Sequence, residues 1–259
     1  SNMGLITFMS DYGSEDHYVP LVKAAILSID PRLTIVDISH QIKLSDIAHG
    51  GYVLGNSFKK FPIGTVHLIA IDSSNRKANR LIASLIEGHY FISQDTGIFS
   101  IISDEKPKEV VVLHGVNVKP MNMAQIAPVI VSLTSGTPLQ NIGIPIDNYL
   151  TLMKRNPKIT KREIVGNIVR IDHYGNLITN INKKDYLEIQ RLNENSPITI
   201  QVGREIFSQL HDNYDDADPG ECFVFFNSDQ VIQIGINMGN ASQLLGLRLD
   251  APIYINFQG

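Results

Sequence analysis

Three short apolar runs, residues 5–9, 34–38 and 66–71, are separated by segments whose apolar residues recur at helical spacing. This alternation constrains the fold more than any other feature, because strands alternating with helices pack as a mostly parallel sheet covered on both faces. Residues 17–29 carry Val19, Val22, Ala25, Ile26 and Ile29 at helical spacing, and Asp30-Pro31 stops that helix. Residues 46–58 give a second helix with small residues on one face. Residues 81–86 and 89–93 read as a hairpin around Glu87-Gly88; residues 109–113 read as a strand and 123–134 as a helix. The pattern predicts an α/β fold, a Rossmann-like three-layer domain over residues 3–150.

The pattern changes after Ile146. Residues 147–161 are polar and basic, with Asn156-Pro157 in their middle, and read as a connector. Short strands follow at 165–172, 177–181, 197–202, 222–226, 231–236 and 252–257, punctuated by turns such as Tyr174-Gly175-Asn176, Pro219-Gly220 and Met238-Gly239-Asn240. Many short strands with little helix predict a small β-barrel or sandwich over residues 163–259.

Composition removes several functional classes. With 43% hydrophobic and 19% charged residues, the 259-residue chain can bury a sizeable core. Its formal net charge is −4 and no stretch mixes Lys and Arg with aromatics, so no nucleic-acid partner is expected. No run of about 18 apolar residues occurs and no leader pattern is visible, so no membrane span and a cytoplasmic location are expected. The single cysteine, Cys222, lies in Cys222-Phe223-Val224-Phe225-Phe226 and reads as a packed thiol. One cysteine permits neither an intramolecular disulfide nor a cysteine-based zinc site.

Chemistry concentrates where strands end. Asp11 and Asp72 each follow an apolar run directly, which in an open α/β sheet places both carboxylates in the crevice at the carboxyl ends of the strands. Asp95-Thr96-Gly97 adds a third acid to that edge. Such a carboxylate can hold the two hydroxyls of a ribose, ligate a divalent metal, act as a base, or simply cap a turn. Asp16 and His17 read as the cap and entry of the first helix. P-loop, Gly-x-Gly-x-x-Gly and Gly-x-Ser-x-Gly patterns are all absent, and the eight histidines show no recognised ligand spacing, although Asp11, Asp16, His17 and Asp72 are plausible ligand types and keep metal catalysis as the main rival.

Phe8-Met9-Ser10-Asp11-Tyr12-Gly13 with Asp16 resembles the first motif of the SAM hydroxide adenosyltransferases, adenosine-forming S-adenosyl-L-methionine (SAM) hydrolases of the fluorinase and chlorinase superfamily. Further matches follow in order: Val36-Asp37-Ile38-Ser39-His40, Phe61-Pro62-Ile63-Gly64-Thr65-Val66-His67, Asp72, Asp95-Thr96-Gly97-Ile98, Ala127-Pro128, Ser135-Gly136 and Gly143-Ile144-Pro145-Ile146. In the second domain the stretches 171–181 and 234–241 are similar to the family as well. The resemblance implies attack of water or hydroxide on the ribose C5′ of SAM, releasing methionine, without a cofactor. It implies a homotrimer with SAM between one subunit's N-terminal domain and a neighbour's C-terminal domain. By position, Asp11 would hold the ribose. Asp172 and Asn176 would hold the amino-acid end of methionine with Tyr174 nearby. Ser228 and the turn carrying Asn237, Asn240 and Ala241 would lie near the adenine.

The water-placing residues of the family are an Asp, an Arg and a His. Asp72 matches the first. The usual Arg position falls on Asn79, leaving Arg80, with Arg76 as a second choice. The family's His-Gly-Arg-Asp stretch, counted back from Ala127-Pro128, falls on Met121-Asn122-Met123-Ala124, and a thioether is only a weak acceptor where His would orient water. Three functions are therefore expected to compete: a SAM hydrolase using Asp72 and Arg80, a SAM- or adenosine-binding protein without turnover, and a metal-dependent hydrolase using Asp11 and Asp72.

Overall fold

The computed structural model describes residues 4–73, 79–118, 121–211 and 218–258. The chain divides into two compact units, Ser1–Lys154 and Arg155–Gly259.

The first unit is built on a seven-stranded sheet of order β2-β1-β3-β5-β4-β6-β7. Its strands are β1 (Leu5–Ser10), β2 (Thr34–Ser39), β3 (Val66–Ala70), β4 (Leu81–Ile86), β5 (His89–Gln94), β6 (Glu109–Leu113) and β7 (Ile144–Pro145). β2, β1, β3 and β5 are parallel; β4 runs antiparallel to both β5 and β6, and β7 antiparallel to β6. The sheet is thus mixed where the alternation predicts a mostly parallel one. The cause is local: Glu87 and Gly88 both adopt positive φ (49° and 80°), the conformation of a tight hairpin turn, which forces β4 and β5 to run in opposite directions.

Alternate residues of the central strands feed two cores, as a sheet covered on both faces requires. Ile6, Phe8, Val66 and Leu68 pack with Val22 and Ile26 of α1 (Tyr18–Leu27). Across the sheet, Met9, Ile69 and Ile71 pack with Leu54 of α2 (Ile47–Gly55) and with Phe99 and Ile102 of α3 (Ile98–Ile102). α4 (Met123–Thr134) lies on the α1 face, burying Ile126, Ile130 and Leu133. Gly51 permits the close α2–α3 approach: a Cβ there would lie 2.4 Å from Ile101 Cγ2. α1 departs from expectation at its start, since His17 occupies the N-cap position without a side-chain cap bond and pairs with Asp16 instead.

The second unit is an antiparallel sheet that curls toward a barrel. Its strands are β8 (Lys158–Ile159), β9 (Glu163–Ile171), β10 (Leu177–Asn182), β11 (Ile198–Val202), β12 (Glu205–Phe207), β13 (Cys222–Phe226), β14 (Val231–Ile236) and β15 (Pro252–Phe257). The order is β12-β11-β15-β9-β10-β14-β13, with β8 also on β9. The two ends of that order approach each other where His211, just past β12, bridges Phe225 of β13 and donates its backbone N–H to Val224 O at 2.8 Å. Inward residues such as Ile164, Ile168, Ile200, Ile234 and Ile255 fill the interior.

This unit holds more helix than its strand pattern predicts: α5 (Lys183–Leu192) and the short α6 (Ala241–Leu245). Burial of Tyr186 and Ile189 anchors α5, and Asn182 caps it by accepting from Asp185 N at 2.8 Å. Asn182→Ala is expected to destabilise this unit by about 1 kcal/mol, with Asn182→Ser close to wild type, in urea denaturation followed by circular dichroism.

Candidate functional site

The first crevice opens at the carboxyl ends of β1 and β3. The strand order makes this the switch point of the sheet, because the chain leaves β1 to one side for β2 and returns past it to β3. Backbones at strand ends lose their ladder partners there, leaving polar groups to face a ligand.

Asp11 stands at the centre of the junction. Its Oδ2 accepts from Ser45 N at 2.9 Å and from Asp72 N at 3.2 Å, so one carboxylate ties together the ends of two strands and the loop before α2. Burial raises the Asp11 pKa above the ordinary aspartate value; the Asp72 charge adds to the rise, and the backbone N–H bonds oppose it. Tyr12 is raised as well, first by burial and then by the charges of Asp11 and Asp72. Asp72 itself is exposed. It lines a cleft of about 320 Å³ with Tyr12, Ala70, Ile71, Gln94, Val118 and Met121. The cleft therefore combines negative potential with apolar walls.

Asp95 lies at the same edge but is already engaged. It is 3% exposed, and its Oδ2 takes Arg80 Nε at 2.9 Å and Nη2 at 2.8 Å, while its Oδ1 accepts from Leu150 N at 2.9 Å. Arg80 also donates to Asn148 O at 2.7 Å. The guanidinium thus braces the start of β4 against the chain leaving β7, and Arg80 is not among the residues lining the cleft. Arg76 lies outside the described residues.

A third constellation has no counterpart in the sequence reading. Ser10 Oγ lies 2.6 Å from His40 Nδ1, His40 Nε2 lies 2.8 Å from Asp37 Oδ1, and Lys23 Nζ reaches Asp37 Oδ2 at 2.6 Å. Burial pushes the Asp37 carboxyl up, but the bonds from His40 and Lys23 outweigh it and hold the pKa below the usual value. The residue types are those of a hydrolase triad. However, Ser10 is fully buried, and the imidazole meets it through Nδ1 rather than Nε2, so Ser10 does not face the cleft as a nucleophile.

In the second unit, two turns meet. Asp172 Oδ1 accepts from Tyr174 N and Asn176 N, each at 2.9 Å, and Oδ2 accepts from Asn176 Nδ2 at 2.9 Å. Gly175, at φ +80°, brings this turn against Asn240; a Cβ there would lie 2.0 Å from Asn240 Oδ1. Ser242 N donates to Gly175 O at 2.9 Å, and Asn240 caps α6 through Gln243 N at 3.0 Å. Asp172, Tyr174, Asn176, Asn237 and Asn240 therefore gather at one end of the sheet, with Tyr174 and Met238 strongly exposed. Ala241 is fully buried beneath them. Ser228 sits in the exposed β13–β14 turn, at the opposite end of β14 from Asn237.

Among the described residues, no group of three or more His, Cys, Asp or Glu side chains stands close enough to hold a metal ion. No helix among them is long and apolar enough to cross a membrane. Gln94 and Val118 are cleft residues that the sequence reading missed. For Gln94 a signal existed: like Asp11 and Asp72, it is a polar residue closing an otherwise buried strand.

The first unit thus carries an acidic switch-point crevice and the second, taken by itself, a pair of Asx-rich turns on a near-barrel. Comparison with known proteins assigns the family. The SAM hydroxide adenosyltransferase N-terminal domain matches residues 6–143 and the C-terminal domain of the same family matches residues 166–254, so the chain belongs to that family. A protein named (R)-S-adenosyl-L-methionine hydrolase from Methanocaldococcus jannaschii is 27% identical, over 95% of this chain and 93% of its own. One of the same name from Thermus thermophilus is 23% identical, over 96% and 98%. A fluorinase from an Actinoplanes species is 27% identical, over 70% and 72%. Among solved structures, an uncharacterized conserved protein from Thermotoga maritima superposes with a TM-score of 0.83 at 27% identity, covering 97% of this chain and all of the other.

Replacing Arg80 strands the buried Asp95 carboxylate with one backbone partner. Arg80→Ala is expected to lower stability by about 2 kcal/mol in thermal or urea denaturation, discounted from a fully buried pair because the arginine is one-third exposed. Arg80→Lys is expected to recover only part of it, since an ammonium cannot reproduce the fork.

Proposed function

We propose that this chain hydrolyses SAM to adenosine and L-methionine by attack of water on the ribose C5′. The observation that carries the reading is the Asp11–Asp72 junction at the switch point of a chain belonging to this family. A carboxylate held by backbone N–H groups at that place suits a ribose diol, since it accepts hydrogen bonds from both hydroxyls. Burial is the main cause of the raised Asp11 and Tyr12 pKa values, and the neighbouring carboxylate charges add to it; those charges favour a cationic sulfonium over a neutral thioether. The sulfonium is already a good leaving group, so the protein's work is in-line placement and partial desolvation of the water. Such placement can supply about 7–11 kcal/mol of barrier lowering.

In this reading Asp11 binds the ribose and Asp72 takes the proton of the water. Arg80 belongs to the water site as a positioning residue through Asp95. Asp172, Tyr174 and Asn176 receive the methionine end, and Asn237 and Asn240 the adenine side; Ser228, at the other end of β14, and the buried Ala241 stand apart from that contact. A homotrimer, a cytoplasmic setting and the domain bounds 3–150 and 163–259 are part of the same proposal. Met121 in the cleft, beside Asp72, favours one second reading: a protein that binds SAM or adenosine without cutting it.

Incubation with SAM, followed by chromatography of adenosine and methionine, separates the readings. Turnover that persists in EDTA is the expected result. Binding by calorimetry without product points to the second reading, and loss of activity on chelation points to metal chemistry at Asp11 and Asp72. Asp11→Ala is expected to weaken SAM binding on the order of 10²-fold, through loss of charge-assisted bonds to the diol; unchanged affinity would remove Asp11 from the site.

The raised Asp11 pKa gives this a pH signature. Binding needs the carboxylate, so adenosine affinity is expected to fall on acidification, with a midpoint above that of an ordinary aspartate. Asp72→Asn removes one cause of the rise and should move the midpoint down. Because the folded protein holds this proton more tightly than the unfolded chain, ionised Asp11 lowers stability above its folded pKa. Asp11→Asn should therefore not lower the Tm at neutral pH, which separates a ligand-binding role from a structural one.

A further inference from the structure

Gln94 closes β5 at the cleft and is 3% exposed. Its Nε2 donates to Val118 O at 3.1 Å. A carbonyl can only accept, so this bond fixes which end of the amide is nitrogen. Oε1 consequently points away from Val118. It is buried and accepts no hydrogen bond from any described protein group. Ser84 Oγ is the other such atom among the described residues, but it sits mid-strand on β4, opposite Phe91 and Val110, and does not line the cleft. A buried acceptor without a partner is unfavourable in a folded protein unless something else supplies the donor. Gln94 alone couples that condition to the cleft that holds Asp72.

We propose that Gln94 contacts the reacting water: its Oε1 accepts one hydrogen bond from the water molecule that attacks C5′, while Asp72 accepts the other. This rests on the reading of the chain as a SAM hydrolase. Among the described residues, the side chains around the two groups, Ala70, Ile71, Val118 and Met121, compete weakly or not at all for a water's hydrogen bonds, and Tyr12 supplies a further polar group. A water needs two to four polar partners to be held in such a place. With both O–H bonds directed at Gln94 and Asp72, a lone pair is left for the carbon.

The division of labour follows from basicity. An amide oxygen orients the water but does not take its proton; the carboxylate does. The water oxygen forms a bond to C5′ as the C5′–S bond breaks. The electron pair of that bond goes to sulfur, which leaves as the neutral thioether of methionine. The water's proton passes to Asp72 and then to solvent. The amide thus occupies a part of the water site that the Met121 thioether cannot fill.

The test is steady-state hydrolysis of SAM by the full-length wild type, Gln94→Leu and Gln94→Glu, with adenosine affinity measured by calorimetry as a control for the fold. Gln94→Leu is expected to lower kcat about 10²-fold while KM stays within about threefold and adenosine affinity is kept. Gln94→Glu gives a distinct signature. Protonated, it donates to Val118 O and presents a carbonyl oxygen to the water; ionised, it does neither correctly. Its rate is expected to hold on the acid side and fall as pH rises, where the wild type does not fall. A crystal structure of the wild type should show a water within hydrogen-bond distance of Gln94 Oε1. Wild-type kcat in Gln94→Leu would overturn the proposal and leave the hydrolase reading standing. If Gln94→Leu does not fold, a Gln94→Glu profile identical to wild type, or inactive at every pH, overturns it. A wild type that binds adenosine but never converts SAM overturns the hydrolase reading and this proposal together.

Discussion

The bifurcated acceptance by Asp11 Oδ2, from Ser45 N and Asp72 N, is the constraint on which the rest of the crevice depends. At a switch point two neighbouring strands diverge, and their last backbone N–H groups have no ladder to enter. One carboxylate satisfies Asp72 N, just past β3, and with it Ser45 N of the loop before α2. The Asp72 backbone is thereby fixed at the rim, and its side chain is left to face the cleft. The same bonds that hold the carboxylate oppose the effect of burial on its pKa without cancelling it. The site is therefore held in a charge state the interior disfavours, which is the usual cost of binding chemistry.

The distribution of cations sharpens that picture. Among the described residues, Arg80 is committed to Asp95, and Lys23 is committed to Asp37. Neither lines the cleft. Among the described residues Asp72 lines the cleft, Asp11 holds the Asp72 backbone behind it, and no cation is among the lining side chains, so the charges there oppose a phosphate. Absence of a P-loop and of Gly-x-Gly-x-x-Gly in the sequence points the same way. Electrostatics and motif content agree in arguing against a phosphate ligand.

Much of this was legible in the chain because the strong signals are local. Apolar runs ending in Asp11 and Asp72 mark buried strands and their ligand-facing ends, and the positive-φ pair Glu87-Gly88 marks its hairpin. α5 was missed although it is amphipathic: Tyr186 and Ile189 share its buried face, but a ten-residue, largely polar segment between short strands reads as a connection, and its start depends on the Asn182 cap. The commitment of Arg80 to Asp95 was hidden for a different reason, since 15 positions separate them and only pairing of Leu81 with Gln94 brings the strand ends together. Gln94 escaped notice because one polar residue at a strand end looks like a boundary. Its meaning comes from Val118, 24 residues away, which fixes the amide.

The Ser10–His40–Asp37 chain shows why residue types alone mislead. Its distances are those of a working relay, and the chain belongs to a family whose relatives include hydrolases. Yet a nucleophile must reach its electrophile, and Ser10 has no exposed surface. What the chain does instead is geometric. His40 secures the last residue of β1 through Ser10 Oγ, and His40 O accepts from Gly13 N at 2.8 Å on the far side of Asp11. Ser10 Oγ also accepts from Tyr12 N at 3.3 Å. Asp11 is thus bracketed on both sides by bonds to the end of β2, and its carboxylate is left only the rotations that meet Ser45 and Asp72. A buried polar network of this kind specifies one backbone path where apolar packing would tolerate several. The triad chemistry has become scaffolding for the single acid beside it.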